Sequence, residues 1–260
     1  MATLKDYRDE RLKKLSELRA LGINPYPAKS YRTHKLKEVS ENFETLEGEQ
    51  ATVLGRIVSI RKFGKLAFIV LKDDSGKLQL FLRAGDTDLL NVEEGTVGIE
   101  QISLLDTGDY LEATGEIIRT KTGEISLAVK KMKLLAKALR PTPENLADKE
   151  ERLRRRYLDT KINQNVYERY QRRSKFWQAT RDFLNQNDFL EVNIPVLEHT
   201  TGGADANPFV THMDALDQDF YLRISQELPL KRLIGGGYEK VYEIGPRFRN
   251  ENYTDEHLPE

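Results

Sequence analysis

Between residues 51 and 135 the chain breaks into short β-rich segments separated by turn residues, and no other feature restricts its fold as much. Residues 52–60, 67–72 and 78–82 read as three strands, the last two joined through the hairpin turn Asp73, Asp74, Ser75, Gly76. A mixed stretch follows, in which residues 87–92 are expected to form a short helix. Residues 110–119 and 124–135 then read as two more strands around a turn at 120–123. Three strands, a helix-like connection and two strands are what a five-stranded Greek-key barrel requires.

Barrels of this type include oligonucleotide-binding ones as well as barrels with no ligand, and the strand pattern alone leaves both open. Arg61, Lys62 and Lys65 lie beside Phe63 and Phe68, so cations and rings interleave near the first turn. Single-stranded nucleic acid is held in this way, with bases stacked on rings and phosphates met by cations. One of the two phenylalanines is expected to fill the barrel core. Charged residues make up 32% of the 260, yet the net charge is only −1, so any basic surface must be local. The absence of cysteine excludes disulfides and thiolate zinc sites. His34, His199, His212 and His257 are scattered without ligand spacing, so no metal site is expected from them. No apolar run approaches the ~20 residues of a membrane span, and the expectation is a soluble, cytoplasmic protein with no membrane association.

Outside the barrel, residues 7–21 read as a helix with Leu12, Leu15 and Leu18 on one side and charged residues elsewhere, stopped by Gly22, Pro25 and Pro27. Pro141 and Pro143 open a linker over 144–148, and the basic run Arg152, Arg154, Arg155, Arg156 follows. Residues 166–185 form a long amphipathic helix with an apolar stripe of Phe176, Ala179, Phe183 and Leu184. Residues 189–197 read as a strand in which Pro195 cannot donate to a ladder, which places it at an edge or an interface. A glycine-containing loop spans 201–209; a short strand over 221–224 and a helix over 227–234 come next. A last strand is expected over 240–244 and on to Phe248, with Arg249 and Glu251 on one face. A guanidinium there can fork onto phosphate oxygens; a surface ion pair is the plainer reading.

Taken together, these stretches resemble class II aminoacyl-tRNA synthetases and, within them, the lysyl enzymes. The run 189–197 resembles the first motif of the class, a dimer-interface element ending at a proline, here Pro195. Arg247 onward resembles the second motif. The lysyl character lies in Gly202, Gly203, Ala204, Ala206, Pro208, Phe209 and Thr211, in Tyr221 to Ile224, in Glu227, Leu228, Leu230 and Lys231, and in the stretch Gly22 to Pro27. The resemblance implies a lysine–tRNA ligase. Such an enzyme activates lysine with ATP to lysyl-adenylate and transfers it to the 3′ end of tRNA(Lys). Arg249, Glu251 and His257 would bind ATP, with Arg249 and Glu251 catalytic, and Gly203 and Glu227 would hold the lysine. Arg61, Phe68, Gln79 and Glu124 would read a U-rich anticodon. A homodimer and Mg2+ are also implied, the ligands of the ion being expected beyond residue 260.

Four positions depart from the family pattern. Asp188 and Asn252 stand where glycine is usual, and Asn207 and Glu256 where a basic residue is usual. The lysine-specific carboxylates and a third motif would follow Glu260, so the expectation is an N-terminal part of a longer enzyme. The expected architecture is α+β and multidomain. A helical extension (1–48) precedes an oligonucleotide-binding (OB) anticodon barrel (49–140). A linker with a basic helix (141–165) leads to the first portion of an antiparallel-sheet catalytic domain (166–260). An aspartyl- or asparaginyl-type synthetase and a non-catalytic tRNA-binding piece remain as alternatives; the paralogue that lysylates an elongation factor lacks the barrel.

Overall fold

The computed structural model describes residues 3–143, 145–252, 254 and 258–260. The chain divides into two compact units, Met1–Leu158 and Asp159–Glu260.

The first unit opens with α1 (Leu4–Ala20). It begins three residues before the expected start because Thr3 and Asp6 form a reciprocal cap: Asp6 N donates to Thr3 Oγ1 at 3.2 Å and Thr3 N to Asp6 Oδ2 at 2.7 Å. Leu15 and Leu18 are buried as the periodicity predicts. Arg11 is buried with them, contrary to the expectation that charged residues lie elsewhere on this helix. Its guanidinium donates to the carbonyls of Ala138 (2.9 Å) and Thr107 (3.1 Å), which satisfies a cation that would otherwise be costly to enclose. Lys14 and Lys137 both bond Asp106, and Lys137 also reaches Asp109 at 2.8 Å, so the helix is fastened to the barrel by charge as well as by leucines. Two short helices, α2 (Leu36–Glu41) and α3 (Phe43–Leu46), lead into the barrel.

The barrel is closed, in the order β1 (Gln50–Phe63), β2 (Leu66–Lys72), β3 (Lys77–Arg83), β5 (Ile125–Ala136), β4 (Tyr110–Arg119), back to β1. All pairs are antiparallel except β3 with β5. Along β2 and β3 the side chains alternate strictly, so Ala67, Ile69, Leu71, Leu78, Leu80 and Leu82 point into the core and their neighbours point out. Asp73 builds the expected turn, its Oδ1 accepting from the amides of Ser75 and Gly76 at 2.7 and 2.9 Å.

The helix expected over 87–92 is absent. Backbone groups there bond across to β5 and to a local bridge: Asp88 N donates to Lys130 O (2.8 Å) and Asn91 N to Thr96 O (3.1 Å), while Thr87 Oγ1 donates to Val129 O (2.8 Å). Thr, Asp and Asn are poor helix formers that compete for such bonds, and here the tertiary partners win. The connection instead carries a 3-10 helix, Ile99–Leu104. Beyond the barrel the basic run spans the end of α4 (Lys149–Arg154), capped by Asp148, and the start of α5 (Arg156–Ile162), with Arg155 between them.

The second unit holds α6 (Gln164–Gln186), β6 (Leu190–Glu191), β7 (Leu197–Glu198), β8 (Val210–Met213), β9 (Gln218–Leu222), α7 (Glu227–Gly235) and β10 (Val241–Tyr242). β7, β9 and β8 form one antiparallel sheet, and β10 pairs β6 in parallel. The single strand expected over 189–197 is therefore two two-residue strands. Ile194 N is taken by Glu243 Oε1 at 3.2 Å, and Pro195 has no N–H to continue a ladder. The long strand expected over 240–248 is likewise limited to β10, because the segment after Tyr242 spends its backbone groups on loops. Phe248 N donates to Arg223 O, Arg249 N to Pro259 O and Asn250 N to Asn207 O. Strand alternation thus does not place Arg249 and Glu251. The apolar stripe of α6 is exposed rather than packed, with Phe176 at 62% and Phe183 at 65%.

Candidate functional site

Two groups of side chains could carry chemistry. The first lies on the outer face of the barrel. Register sets Arg61 opposite Phe68, Phe68 opposite Phe81, and Gln79 opposite Ser126. The Phe68 ring is half-buried, with its centroid 5.5 Å from that of Phe81 and 6.3 Å from that of Phe63. Arg61 places its guanidinium carbon 5.9 Å from the Phe68 centroid and its Nη2 3.4 Å from Gln79 Oε1. Gln79 Nε2 donates to Ser126 Oγ at 3.0 Å, and that hydroxyl donates to the Glu124 carbonyl at 3.3 Å.

Arg61, Phe68 and Gln79 are thus brought together, while Glu124 joins them through its backbone and keeps an exposed side chain. Neither Phe63 nor Phe68 enters the core, contrary to expectation: the inward positions of β2 are Ala67 and Ile69, and Phe63 is 61% exposed. Phe81 and Ser126 join the strip through the pairing of β3 with β2 and β5, which the residue pattern did not single out. Phe81 could have been found, since Leu80 and Leu82 on either side must point inward; Ser126 needed the register. The strip offers ring faces for stacking, cations for phosphates and an amide for base edges.

The second group lies in the 159–260 unit. Gly203 sits at φ +80°, and a Cβ there would lie 2.7 Å from Glu227 Cβ and 2.8 Å from Ser225 Oγ. Only glycine allows the 201–209 loop to rest against the start of α7 in this conformation. Glu227 opens that helix, its amide donating to Ser225 Oγ at 2.9 Å and its carboxylate meeting Lys231 Nζ at 2.5 Å. The other end of the same loop meets the Arg249 segment. Asn250 N donates to Asn207 O at 2.8 Å, and Asn207 N donates to Glu251 Oε1 at 3.3 Å. Glu251 therefore bonds the loop, and Arg249 is exposed with no ion pair among the described residues. Pro195 is exposed, and His257 and Glu256 lie outside the described residues.

Arg223, whose part was not foreseen, organises this unit. It is 1% exposed and donates through Nε to Pro246 O (2.9 Å) and through Nη1 to Ile194 O (3.1 Å) and Glu243 Oε1 (2.9 Å). Gln226 Nε2 adds a bond to Gly245 O at 2.9 Å. The segment that leads to Arg249 is thereby tied to the one that contains Pro195. Arg223 is itself enclosed and neutralised by Glu243, so the guanidinium of this segment open to a polyanion is that of exposed Arg249. Among the described residues no three His, Asp or Glu side chains converge as a metal ion would need. No helix there is long and apolar enough to cross a membrane.

Comparison with known proteins places the chain's two parts among families. Residues 148–260 match the sequence model of class II tRNA synthetases (D, K and N), and residues 51–135 match that of the OB-fold nucleic acid binding domain. The chain is 43% identical over 270 residues to a lysine–tRNA ligase of Thermotoga maritima, covering 99% of this chain and 52% of the relative. It is 44% identical to those of Clostridium novyi and Carboxydothermus hydrogenoformans, covering 96% of this chain and 49% and 50% of theirs. The chain spans about half the length of the curated relatives it matches.

Proposed function

We propose, from a chain homologous along nearly its whole length to lysine–tRNA ligases, that it serves the same reaction: ATP-dependent formation of lysyl-adenylate and transfer of lysine to tRNA(Lys). What carries the reading is that one loop, 201–209, touches both halves of the chemistry. Through Gly203 it abuts Glu227, and through Asn207 it bonds the segment of Arg249 and Glu251.

In this reading the Glu227 carboxylate receives the α-amino group of lysine, with the Gly203 backbone beside it. Arg249 meets the ATP α-phosphate and the lysine carboxylate, and Glu251 and His257 attend the rest of the nucleotide. Attack of the lysine carboxylate on the α-phosphorus expels pyrophosphate. Negative charge grows on the phosphoryl oxygens as it does so, and a preorganised guanidinium is worth most at that moment. Mg2+ would accompany the nucleotide; the described residues do not by themselves make a site for it, and no step here runs through it. Arg61, Phe68, Gln79 and Glu124 would read the anticodon, the barrel domain being 49–140, preceded by the helical extension 1–48 and followed by the linker 141–165 and the catalytic portion 166–260. A homodimer through the Pro195 region is supported by the exposed Phe176 and Phe183, and a cytoplasmic location fits a translation enzyme.

The test is amino-acid-dependent exchange of pyrophosphate into ATP by the whole protein. Lysine should support it, and Arg249→Lys should slow it at least about a hundredfold, since a point charge replaces a fork, with tRNA binding hardly changed. Exchange driven by aspartate or asparagine instead, or near-normal exchange by Arg249→Lys, would overturn the assignment.

A further inference from the structure

The hydrogen bonds around Gln79 determine which way its amide faces. A guanidinium can only donate, so the Gln79 atom 3.4 Å from Arg61 Nη2 is the oxygen, and Nε2 faces Ser126 Oγ at 3.0 Å. The Ser126 hydroxyl has one proton, which it directs at the Glu124 carbonyl 3.3 Å away, an oxygen that also accepts from Thr120 N at 2.9 Å. What Ser126 shows Gln79 is therefore a lone pair, which demands an N–H. Both ends of the amide are satisfied in this one orientation.

They differ in permanence. Arg61 is exposed and can leave for a phosphate, whereas Ser126 is 0% exposed and held in β5. Once RNA is bound, Ser126 alone keeps the amide in this orientation. A carboxamide bonded in this way still has a second lone pair and a second N–H, side by side. Uracil presents N3–H next to the acceptor O4; cytosine presents the acceptor N3 next to an amino donor at the same two positions. For a base held in one place by stacking on the Phe68 ring, one amide orientation matches one pyrimidine, and a flipped amide matches the other.

We propose that Ser126 is a positioning residue for specificity, which selects uracil over cytosine at the base stacked on Phe68 by holding the Gln79 amide in one orientation. The proposal rests on the anticodon-reading role given above. It is tested by fluorescence anisotropy of the 260-residue chain with a labelled RNA hairpin bearing a U-rich loop, and with hairpins in which each loop uracil is replaced in turn by cytosine.

The wild-type chain should prefer uracil at one position. Ser126→Ala should lower that preference by about tenfold, the scale of one paired base edge, and Ser126→Thr, which keeps the hydroxyl, should restore most of it. Gln79→Glu, with no N–H to give, should lose the same preference. An unchanged uracil-to-cytosine ratio in Ser126→Ala or in Gln79→Glu, or an equal loss of affinity for all hairpins, sinks the proposal alone. Failure of the wild-type chain to bind any hairpin would remove the anticodon-reading role, and the proposal with it.

Discussion

Arg223 and Glu243 form an ion pair with Nη1 2.8 Å from Oε2, and their side chains are only 1% and 7% exposed. The pair joins the Ile194–Val196 turn to the segment that carries Arg249, because both residues also bond Ile194 while Arg223 bonds Pro246. Breaking an enclosed pair from one side leaves an uncompensated charge, which costs about 3–5 kcal/mol. Arg223→Met or Glu243→Ala alone should each destabilise the 159–260 unit by about that much, and the double substitution by less than the two added. The chain has one tryptophan, Trp177, and it lies in this unit. Urea titrations followed by its fluorescence report the effect directly; single-variant losses below about 1 kcal/mol would mean the charges are solvated.

On the proposed anticodon-reading role, Phe68→Ala should weaken binding of tRNA(Lys) by about 1–3 kcal/mol, the value of one stacked base. The ring points outward from β2, so the melting of the barrel should move little. A barrel that melts far earlier while the affinity per folded molecule is unchanged would make Phe68 a packing residue only.

Asp188 ends the turn after α6 at φ +65°, in the left-handed region. An L-residue there is strained, and Asp tolerates it better than most. Its ion pair with Lys240 is long, at 3.9 Å, and exposed, so little is lost with the carboxylate. Asp188→Gly should therefore leave the unit as stable or raise its stability by up to about 1 kcal/mol, read from the same fluorescence transition. A clear loss would show that the carboxylate holds the turn.

The helix-to-barrel clamp makes stability depend on pH in a definite direction. Burial pushes the Asp106 carboxyl up, but hydrogen bonds from Lys137 and Lys14 outweigh it and hold the group below the ordinary aspartate value. A folded value below the unfolded one stabilises the protein above the ordinary aspartate range, and that contribution is lost as pH falls through the depressed folded value. Burial opposes the charge on Lys14, yet Asp106 prevails and raises it, so its share persists below the ordinary lysine value and fades as pH rises through the raised one. Asp106→Asn should lower stability at neutral pH and flatten its decline towards acid, measured as denaturant midpoints of the first unit. A decline as steep as that of the parent would exclude Asp106 as its source.

Much of this architecture could be read from the residues because local rules act through neighbours in sequence. Asp73 and Gly76 fix a turn by their own hydrogen bonds, and β2 and β3 alternate because one face is buried. What could not be read depends on contacts between distant residues. Arg11 and Arg223 look like surface charges until the carbonyls that receive them are placed. Residues 87–92 abandon a helix for bonds to β5, and the run after Tyr242 abandons a strand for bonds to Arg223 and Asn207. The barrel site followed the same division. Phe68 and Gln79 are legible from pattern and resemblance, but Ser126 emerges only from the pairing of β3 with β5.

Closure of the barrel sets the order of folding against the order of synthesis. The strands β3 and β5 meet through partners 47 positions apart, Gln79 and Ser126, and long loops must be closed before such pairs return any stability. Arg11 has to wait longer still, since its Ala138 acceptor lies 127 positions further on. On a ribosome α1 is therefore made long before the carbonyl that receives its guanidinium. Until β5 emerges, the Arg11 guanidinium stays in water, and the nascent chain exposes the edges of β3 and β4 as sites for wrong pairing. Docking of α1 after barrel closure is the kinetic order these long-range contacts predict.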